Sequence, residues 1–94
     1  MSESYDEYRE LVAVAVEHAL LVMGKLEFHK IQSVLHERYG ITTANSLDNP
    51  EYLKNILRDY FGNSYQDILD TIYQVIDDKK DVKVIKDFLY VMGT

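Results

Sequence analysis

The sequence contains no cysteine and no tryptophan, and it has only one proline and four glycines among its 94 residues. Without cysteine, the chain has no means of forming disulfides, binding a metal through thiolates or using a thiol as a nucleophile. The low content of proline and glycine excludes collagen-like and linker-like chains. Because 47% of the residues are hydrophobic, we expect a folded domain with one core and not a disordered chain.

Positive charge is also scarce in this chain. It has 10 Lys and Arg against 16 Asp and Glu, which gives a formal net charge of −6. Nucleic-acid-binding proteins gain much of their affinity by neutralising phosphates, so we do not expect a nucleic acid as the partner. The densest group of lysines, within Lys79–Lys86, is interleaved with aspartates, which is typical of a solvated, salt-bridged surface.

Long hydrophobic runs are absent as well. The most apolar stretch, Leu11–Met23, is interrupted by Glu17 and His18, and it is shorter than the roughly 20 residues that a membrane span needs. A signal peptide would begin with basic residues, but acidic residues precede this stretch. We therefore expect a soluble, cytoplasmic protein that has no membrane partner.

Signals for helix ends are frequent along the chain. Ser4 and Glu7 form an S-x-x-E capping box, which predicts a first helix that runs to Met23 and ends at Gly24 as a left-handed stop. A second helix is predicted from about residue 26 to residue 39, since its apolar residues recur at spacings of three and four. Gly40 ends this helix, and the residue after it can fold back on the last turn.

The second half of the chain follows the same pattern. The polar stretch 42–48 predicts the one long connection, with a single helical turn in its middle. A third helix opens at Asn49-Pro50, because asparagine caps a helix and proline fits its first position. Gly62 ends it, and Asn63 or Ser64 caps a fourth helix.

The last segment admits two structures. The apolar spacing of residues 82–92 predicts a short fifth helix, whereas the alternation in residues 82–85 would also suit a strand. A lone strand would have no partner, so we favour the helix. The sequence therefore predicts an all-α fold, a single-domain bundle of about five helices that spans residues 1–94.

The histidines, aspartates and glycines lack the spacings that metal-binding and phosphate-binding sites require. His29 and His36 lie about 10 Å apart along a helix, too far for one metal ion, and His18 has no partner at a ligand spacing. The aspartates after residue 76 lack the glycine and the final glutamate of a calcium loop. The glycines stand singly, so no phosphate-binding loop is present. We expect no metal, no cofactor and no catalytic residue, hence a protein that is not an enzyme.

Two features favour an interaction surface. The stretch Leu11–Met23 has apolar residues on all sides, whereas a surface helix needs an apolar stripe of only about 100°. One interpretation is a central helix that the others wrap; we favour a homodimer in which a partner chain covers part of it. The eight tyrosines either rim the core, which we favour, or form a recognition surface. The candidate interaction residues are Val12, Val14, Val16, His18, Leu21, Tyr52 and Tyr60.

These patterns leave two functional classes open. The first is a non-enzymatic module that binds an unknown protein partner through an apolar helical surface. The alternative is a transcription-associated nucleic-acid-binding domain that would use either Lys54 and Arg58 in residues 50–61 or the lysines within Lys79–Lys86. The connection of roughly nine residues before that helix is longer than the usual turn of a helix-turn-helix. A steep loss of affinity with added salt would distinguish nucleic-acid binding.

The order of motifs in the middle of the chain resembles a known family. Leu35, Tyr39-Gly40-Ile41, Asn49-Pro50 and Phe61-Gly62 follow one another as in small archaeal helical domains that are described as Nitrosopumilus-type output domains. The match covers about half of the chain. This resemblance implies a signalling or regulatory output module from an archaeon, and it includes no catalytic motif and no ligand residues.

Overall fold

The computed structural model describes residues 4–94 and contains helices without any strand in that range. The α-helices are α1 (Tyr5–Met23), α2 (Lys25–Tyr39), α3 (Pro50–Phe61), α4 (Tyr65–Ile76) and α5 (Lys83–Gly93). Single 3-10 turns occupy Thr43–Asn45, Gly62–Ser64 and Asp77–Lys79. The prediction of an all-α helical bundle is confirmed. The alternative of a strand at residues 82–85 is wrong, because α5 includes most of that run.

The predicted capping box starts α1. The hydroxyl of Ser4 accepts a hydrogen bond from the Glu7 backbone N–H at 3.4 Å, and the Ser4 N–H donates to the Glu7 carboxylate at 3.1 Å. Gly24 ends the helix, but its φ of 150° and ψ of 151° are not the predicted left-handed helical values. Other residues rarely adopt this conformation, and a Cβ there would collide with the Glu27 carboxylate. Because the chain turns within one residue, α2 begins directly at Lys25.

The end of α2 follows the prediction. Gly40 is left-handed, with φ 70° and ψ 23°, and its N–H donates to the His36 carbonyl at 2.9 Å. The Ile41 N–H donates back to the Leu35 carbonyl at 3.5 Å, and the Ile41 side chain packs on the core. The predicted turn in the long connection is also present, as Thr43–Asn45.

Two predicted side-chain caps are wrong. Pro50 is the first residue of α3, but the Asn49 side-chain amide donates to the Asn45 carbonyl at 3.2 Å and does not cap the helix. Neither predicted residue caps α4 through its side chain. The turn Gly62–Ser64 leads straight into α4, and the Tyr65 N–H is satisfied by the Gly62 carbonyl. Backbone hydrogen bonds therefore replace the side-chain cap at this junction.

The core lies between one side of α1 and the other helices. Helix α1 packs most extensively on α4, and it also contacts α2, α5 and the turn Thr43–Asn45. Helix α3 bridges α2 and α5. The residues that α1 buries are Val12, Ala13, Ala15, Val16, Ala19 and Leu20. The opposite side of α1 remains exposed, so the interpretation of a helix wrapped on every side is wrong.

None of the helices in residues 4–94 combines the length and the hydropathy of a membrane-spanning segment.

Candidate functional site

The most apolar exposed surface lies on α1 and at the start of α2. We call the exposed side of α1, formed by Leu11, Val14, His18, Leu21 and Val22, the α1 face. Val14 is 51% exposed, Leu21 49% and Val22 62%, and Leu26 at the adjoining end of α2 is 80% exposed. Contiguous apolar surface of this kind marks binding sites in soluble proteins.

Helical geometry explains which of the α1 candidate residues reach this face. Consecutive residues point about 100° apart around a helix, so Val14, His18 and Leu21 share one side, at spacings of four and three. Val12 and Val16 point to the other side and are 0% exposed in the core. Their prediction as interaction residues is therefore wrong for the folded chain, because a partner has no access to them.

The tyrosine candidates are elsewhere. Tyr52 and Tyr60 are partly exposed on α3, and both contact residues of α2. The ring of Tyr52 stacks on Tyr39 with centroids 4.1 Å apart and planes 4° apart. The ammonium of Lys30 lies 5.0 Å from the centre of the Tyr60 ring. These contacts tie both tyrosines to the α2–α3 side of the bundle, apart from the α1 face.

A hydrogen-bonded cluster at the start of α1 was not predicted. The Tyr5 hydroxyl donates to Oδ1 of Asp48 at 2.6 Å, and Nε of Arg9 donates to Oδ2 of Asp48 at 2.9 Å. Arg9 also pairs with Asp6 one turn earlier. The hydrogen bonds from Tyr5 and Arg9 lower the pKa of Asp48, and the bond to Asp48 raises the pKa of Tyr5. The charges are mutually satisfied, so this cluster is a structural brace and not a poised acid or base.

A shallow groove of about 420 Å³ runs between α1 and the turn Thr43–Asn45. The hydroxyl of buried Thr43 donates to Oε2 of Glu17, one of the residues that line the groove, at 2.8 Å. The Thr43 N–H donates to the side-chain carbonyl of Gln32 at 3.0 Å. The turn is thus bonded to both α1 and α2. The groove lining, which adjoins the α1 face at Val14, is Asp6, Arg9, Glu10, Ala13, Val14, Glu17 and Ala44.

The histidines and carboxylates do not gather into a metal-binding set. Among residues 4–94, no three His, Asp or Glu side chains come close enough to hold a metal ion. His18 lies on the α1 face, and His29 contacts the ring of Phe28 with centroids 5.4 Å apart.

The basic side chains considered for nucleic-acid binding make contacts within the chain. The ammonium of Lys54 lies 3.7 Å from the carboxylate of Glu51. Arg58 donates to the Thr94 carbonyl at 2.9 Å, and its guanidinium lies 5.1 Å from the centre of the Tyr65 ring. Lys83 pairs with Asp87 at 2.8 Å. Lys54, Arg58 and Lys83 are therefore engaged within the chain.

Comparison of the chain with family models, with curated proteins and with solved structures finds no match in any of the three.

Proposed function

We propose that this protein is a non-enzymatic regulatory or signalling module of the cytoplasm that acts by binding protein at the α1 face, including a second copy of itself. One observation carries the proposal: four large apolar side chains, Val14, Leu21, Val22 and Leu26, are each about half exposed or more within one short segment. The opposite side of α1 is buried in the core, so this face is available without unfolding.

The energetics favour coverage of this face. Burial of apolar surface stabilises a complex by about 25 cal/mol per Å². The α1 face includes one polar side chain, His18, near its middle. A protein partner with an apolar stripe would bury Val14 and Leu21 without leaving buried charges unpaired.

The resemblance to Nitrosopumilus-type output domains supports the regulatory part of the proposal. The residues that carry it have structural roles in this fold, because Gly40 and Gly62 end helices and Pro50 starts one. Proteins that share these helix-ending and helix-starting residues would share a fold, and the residues on the exposed surface would then determine which partner each protein binds. We accordingly include archaeal origin and membership of this family in the proposal.

Site-specific photo-crosslinking in the native cells tests the proposal. A benzophenone amino acid would replace Val14 in one variant and Tyr73 in the control variant. Tyr73 is also exposed, but it lies on α4, which packs against the buried side of α1. We expect a discrete protein adduct from position 14 that position 73 does not give.

The trapped protein would then be identified by mass spectrometry and purified. Its binding to the wild-type chain in vitro should be lost in Val14→Glu, and it should be retained in Tyr73→Glu. If position 14 gives no adduct beyond that of position 73, or if Val14→Glu binds the identified protein normally, the α1 face is not the functional surface.

A further inference from the structure

We propose that the α1 face binds an amphipathic helix of another protein that carries basic residues along one edge, and that these basic residues lie against Glu10 and Glu17. This inference rests on the proposed function, because it gives the chemistry of the partner for the same surface. It follows from the two carboxylates, Glu10 and Glu17, that border the α1 face on the side of the groove. We call this pair the acidic edge.

The acidic edge runs along one side of the α1 face. One row along the helix, at spacings of four, three and four residues, consists of Glu10, Val14, Glu17 and Leu21. The first three of these residues also line the groove together. The two carboxylates are seven residues apart, which is about 10 Å along the axis of α1. The acidic edge therefore lies between the apolar side chains of the α1 face and the turn Thr43–Asn45.

The negative charge of this edge is not balanced by the described part of the chain. The Glu17 carboxylate accepts a hydrogen bond from the Thr43 hydroxyl, which is a neutral group. The Glu10 carboxylate is exposed and forms no hydrogen bond or ion pair with the described residues. Arg9, the basic residue of the groove lining, is already paired with Asp48 at 2.9 Å. A partner that covers this edge is therefore complementary when it supplies positive charge.

The form of the partner follows from what α1 offers to it. The backbone groups of α1 are bonded within the helix, so only side chains are available for contact. An extended segment laid against them would have its backbone groups on that side desolvated without partners, whereas a helix satisfies its own backbone. The exposed apolar row in residues 11–22 is about 17 Å long, which is about three helical turns. An amphipathic helix therefore fits this face, with its apolar stripe on Val14 and Leu21.

A second copy of this chain matches the acidic edge less well. Residues 10–23 of α1 include neither Lys nor Arg, and Arg9 is engaged by Asp48. In a two-fold antiparallel pair of α1 helices, the acidic edges of the two copies would lie side by side, which is repulsive. In a parallel pair, each acidic edge would lie beside apolar side chains and stay unpaired. The charges thus favour a different protein as the occupant.

Two synthetic peptides test the charge of the partner. Both are amphipathic helices of three heptads with leucine along the apolar stripe. One peptide carries lysine at every seventh position along one edge of the stripe, where the other carries glutamate. Fluorescence anisotropy would measure the binding of each labelled peptide to the wild-type chain. We expect the lysine peptide to bind with a dissociation constant in the micromolar range, and the glutamate peptide to bind at least about tenfold more weakly.

Neutral variants of the chain locate the charged contact. Glu10→Gln combined with Glu17→Gln should weaken binding of the lysine peptide by about tenfold, because two ion pairs are lost. The same change should make the affinity less dependent on salt. Glutamine at position 17 keeps an oxygen that can accept from Thr43, so the fold is retained. The matched control, Asp67→Asn combined with Asp70→Asn on α4, removes the same net charge and should change the affinity by less than about twofold.

Removal of apolar surface tests whether the peptide docks on the α1 face itself. Leu21 is 49% exposed in the free chain, and the docked helix would cover it. Leu21→Ala should therefore weaken binding of the lysine peptide by about tenfold. Tyr73→Ala on α4 is the control and should leave the affinity unchanged. Circular dichroism would check the fold of each variant, and sedimentation equilibrium would measure self-association of the chain alone in the same concentration range.

Four results would overturn the inference. The first is failure of the lysine peptide to bind more tightly than the glutamate peptide. The second is an equal loss of affinity in the two double variants, because net charge alone would then explain the attraction. The third is normal binding of the lysine peptide by Leu21→Ala. The fourth is a dimer of the chain alone that Leu21→Ala dissociates, because a second copy would then be the occupant.

The peptide experiment and the crosslinking in cells fail independently. If the protein trapped at position 14 binds the Glu10→Gln, Glu17→Gln double variant as well as it binds the wild type, the proposed function stands and the inference is wrong. If the lysine peptide meets every expectation but position 14 gives no adduct in cells, the inference stands for this surface and the functional proposal is contradicted.

Discussion

The hydroxyl of Tyr5 reaches across 43 positions of sequence to donate a 2.6 Å hydrogen bond to Asp48. With the Arg9–Asp48 ion pair, it ties the end of the long connection to the first turns of α1. This brace holds the turn Thr43–Asn45 against one flank of α1, where Thr43 bonds to Glu17. The connection thereby covers that flank and leaves the α1 face to solvent.

The brace predicts a dependence of stability on acid. Hydrogen bonds from Tyr5 and Arg9 lower the pKa of Asp48 from its ordinary value of 3.8. The carboxylate therefore stabilises the fold above that ordinary pKa, and its contribution is lost as the pH falls through the lower pKa of the folded state. Asp48→Asn should be less stable than the wild type at pH 6, and the difference should shrink below about pH 4. Urea unfolding at a series of pH values measures it.

Two controls accompany this test. Tyr5→Phe removes one of the two donors to Asp48, so it should lose less stability than Asp48→Asn, with the same dependence on pH. Asp70→Asn, on the exposed side of α4, should show no pH-dependent loss of stability. A difference between Asp48→Asn and the wild type that stays constant from pH 6 to pH 2 would show that the brace does not involve the ionised carboxylate.

Neighbouring leucines on α1 provide a matched test of which side is buried. Leu20 is 0% exposed and Leu21 is 49% exposed. Leu20→Ala should cost about 2–5 kcal/mol through lost burial and a cavity. Leu21→Ala should change the free energy of unfolding of the monomer by no more than about 0.5 kcal/mol. Chemical denaturation at low protein concentration compares them, and equal losses would mean that Leu21 is buried as deeply as Leu20.

Tyr65 provides a test at the other end of the bundle. Its buried hydroxyl donates to the Met92 carbonyl at 2.8 Å, which fastens α4 to the end of α5. Tyr65→Phe should lower stability by about 1 kcal/mol at neutral pH. Burial raises the pKa of Tyr65 above its ordinary value of 10.0, so the wild type should lose stability as the pH rises through that higher pKa, and the variant should lose less. Thermal melts between pH 8 and pH 11 measure the difference in stability between the wild type and Tyr65→Phe. If that difference does not change over this range, the hydroxyl is solvated and not buried.

The stack of Tyr39 on Tyr52 should contribute to the packing of α2 on α3. A double-mutant cycle with Tyr39→Leu and Tyr52→Leu should give a coupling energy of about 0.5–1.5 kcal/mol, the range for aromatic pairs. As a control, the cycle of Tyr39→Leu with Tyr73→Leu should give none, because Tyr73 lies on α4. Coupling of the same size in both cycles would show that the effect is not a direct ring contact.

Several helix ends were predicted correctly from residues that lie close together in the sequence. The capping box at Ser4, the left-handed Gly40 and Pro50 at the start of α3 were all predicted, since each depends on residues within one turn. The side-chain caps at Asn49 and Ser64 were predicted wrongly. The Asn49 amide donates to the turn Thr43–Asn45 instead of capping α3, and the turn Gly62–Ser64 accepts the hydrogen bond from the Tyr65 N–H. The local sequence does not indicate whether a side-chain cap or such a turn will form.

The candidate surface was only partly predictable, because α1 has apolar residues on every side and its periodicity does not say which side is inward. Val14, His18 and Leu21 proved exposed, whereas Val12 and Val16 are buried. Tyr52 was grouped with them by residue type alone, and its stacking on Tyr39 places it on another side of the bundle.

Composition and spacing were enough to establish the helical class and most helix ends, because helix formation depends on hydrogen bonds and side chains within a few residues. The rotation of α1 about its axis was decided by contacts between residues distant in the sequence. Packing on α4 and the Tyr5–Asp48 brace settle which apolar residues enter the core. Both sides of α1 carry apolar residues, so hydropathy alone does not determine which side is buried. Tertiary contacts stabilise only one orientation of the helix, and the α1 face is the side that this orientation leaves exposed to solvent.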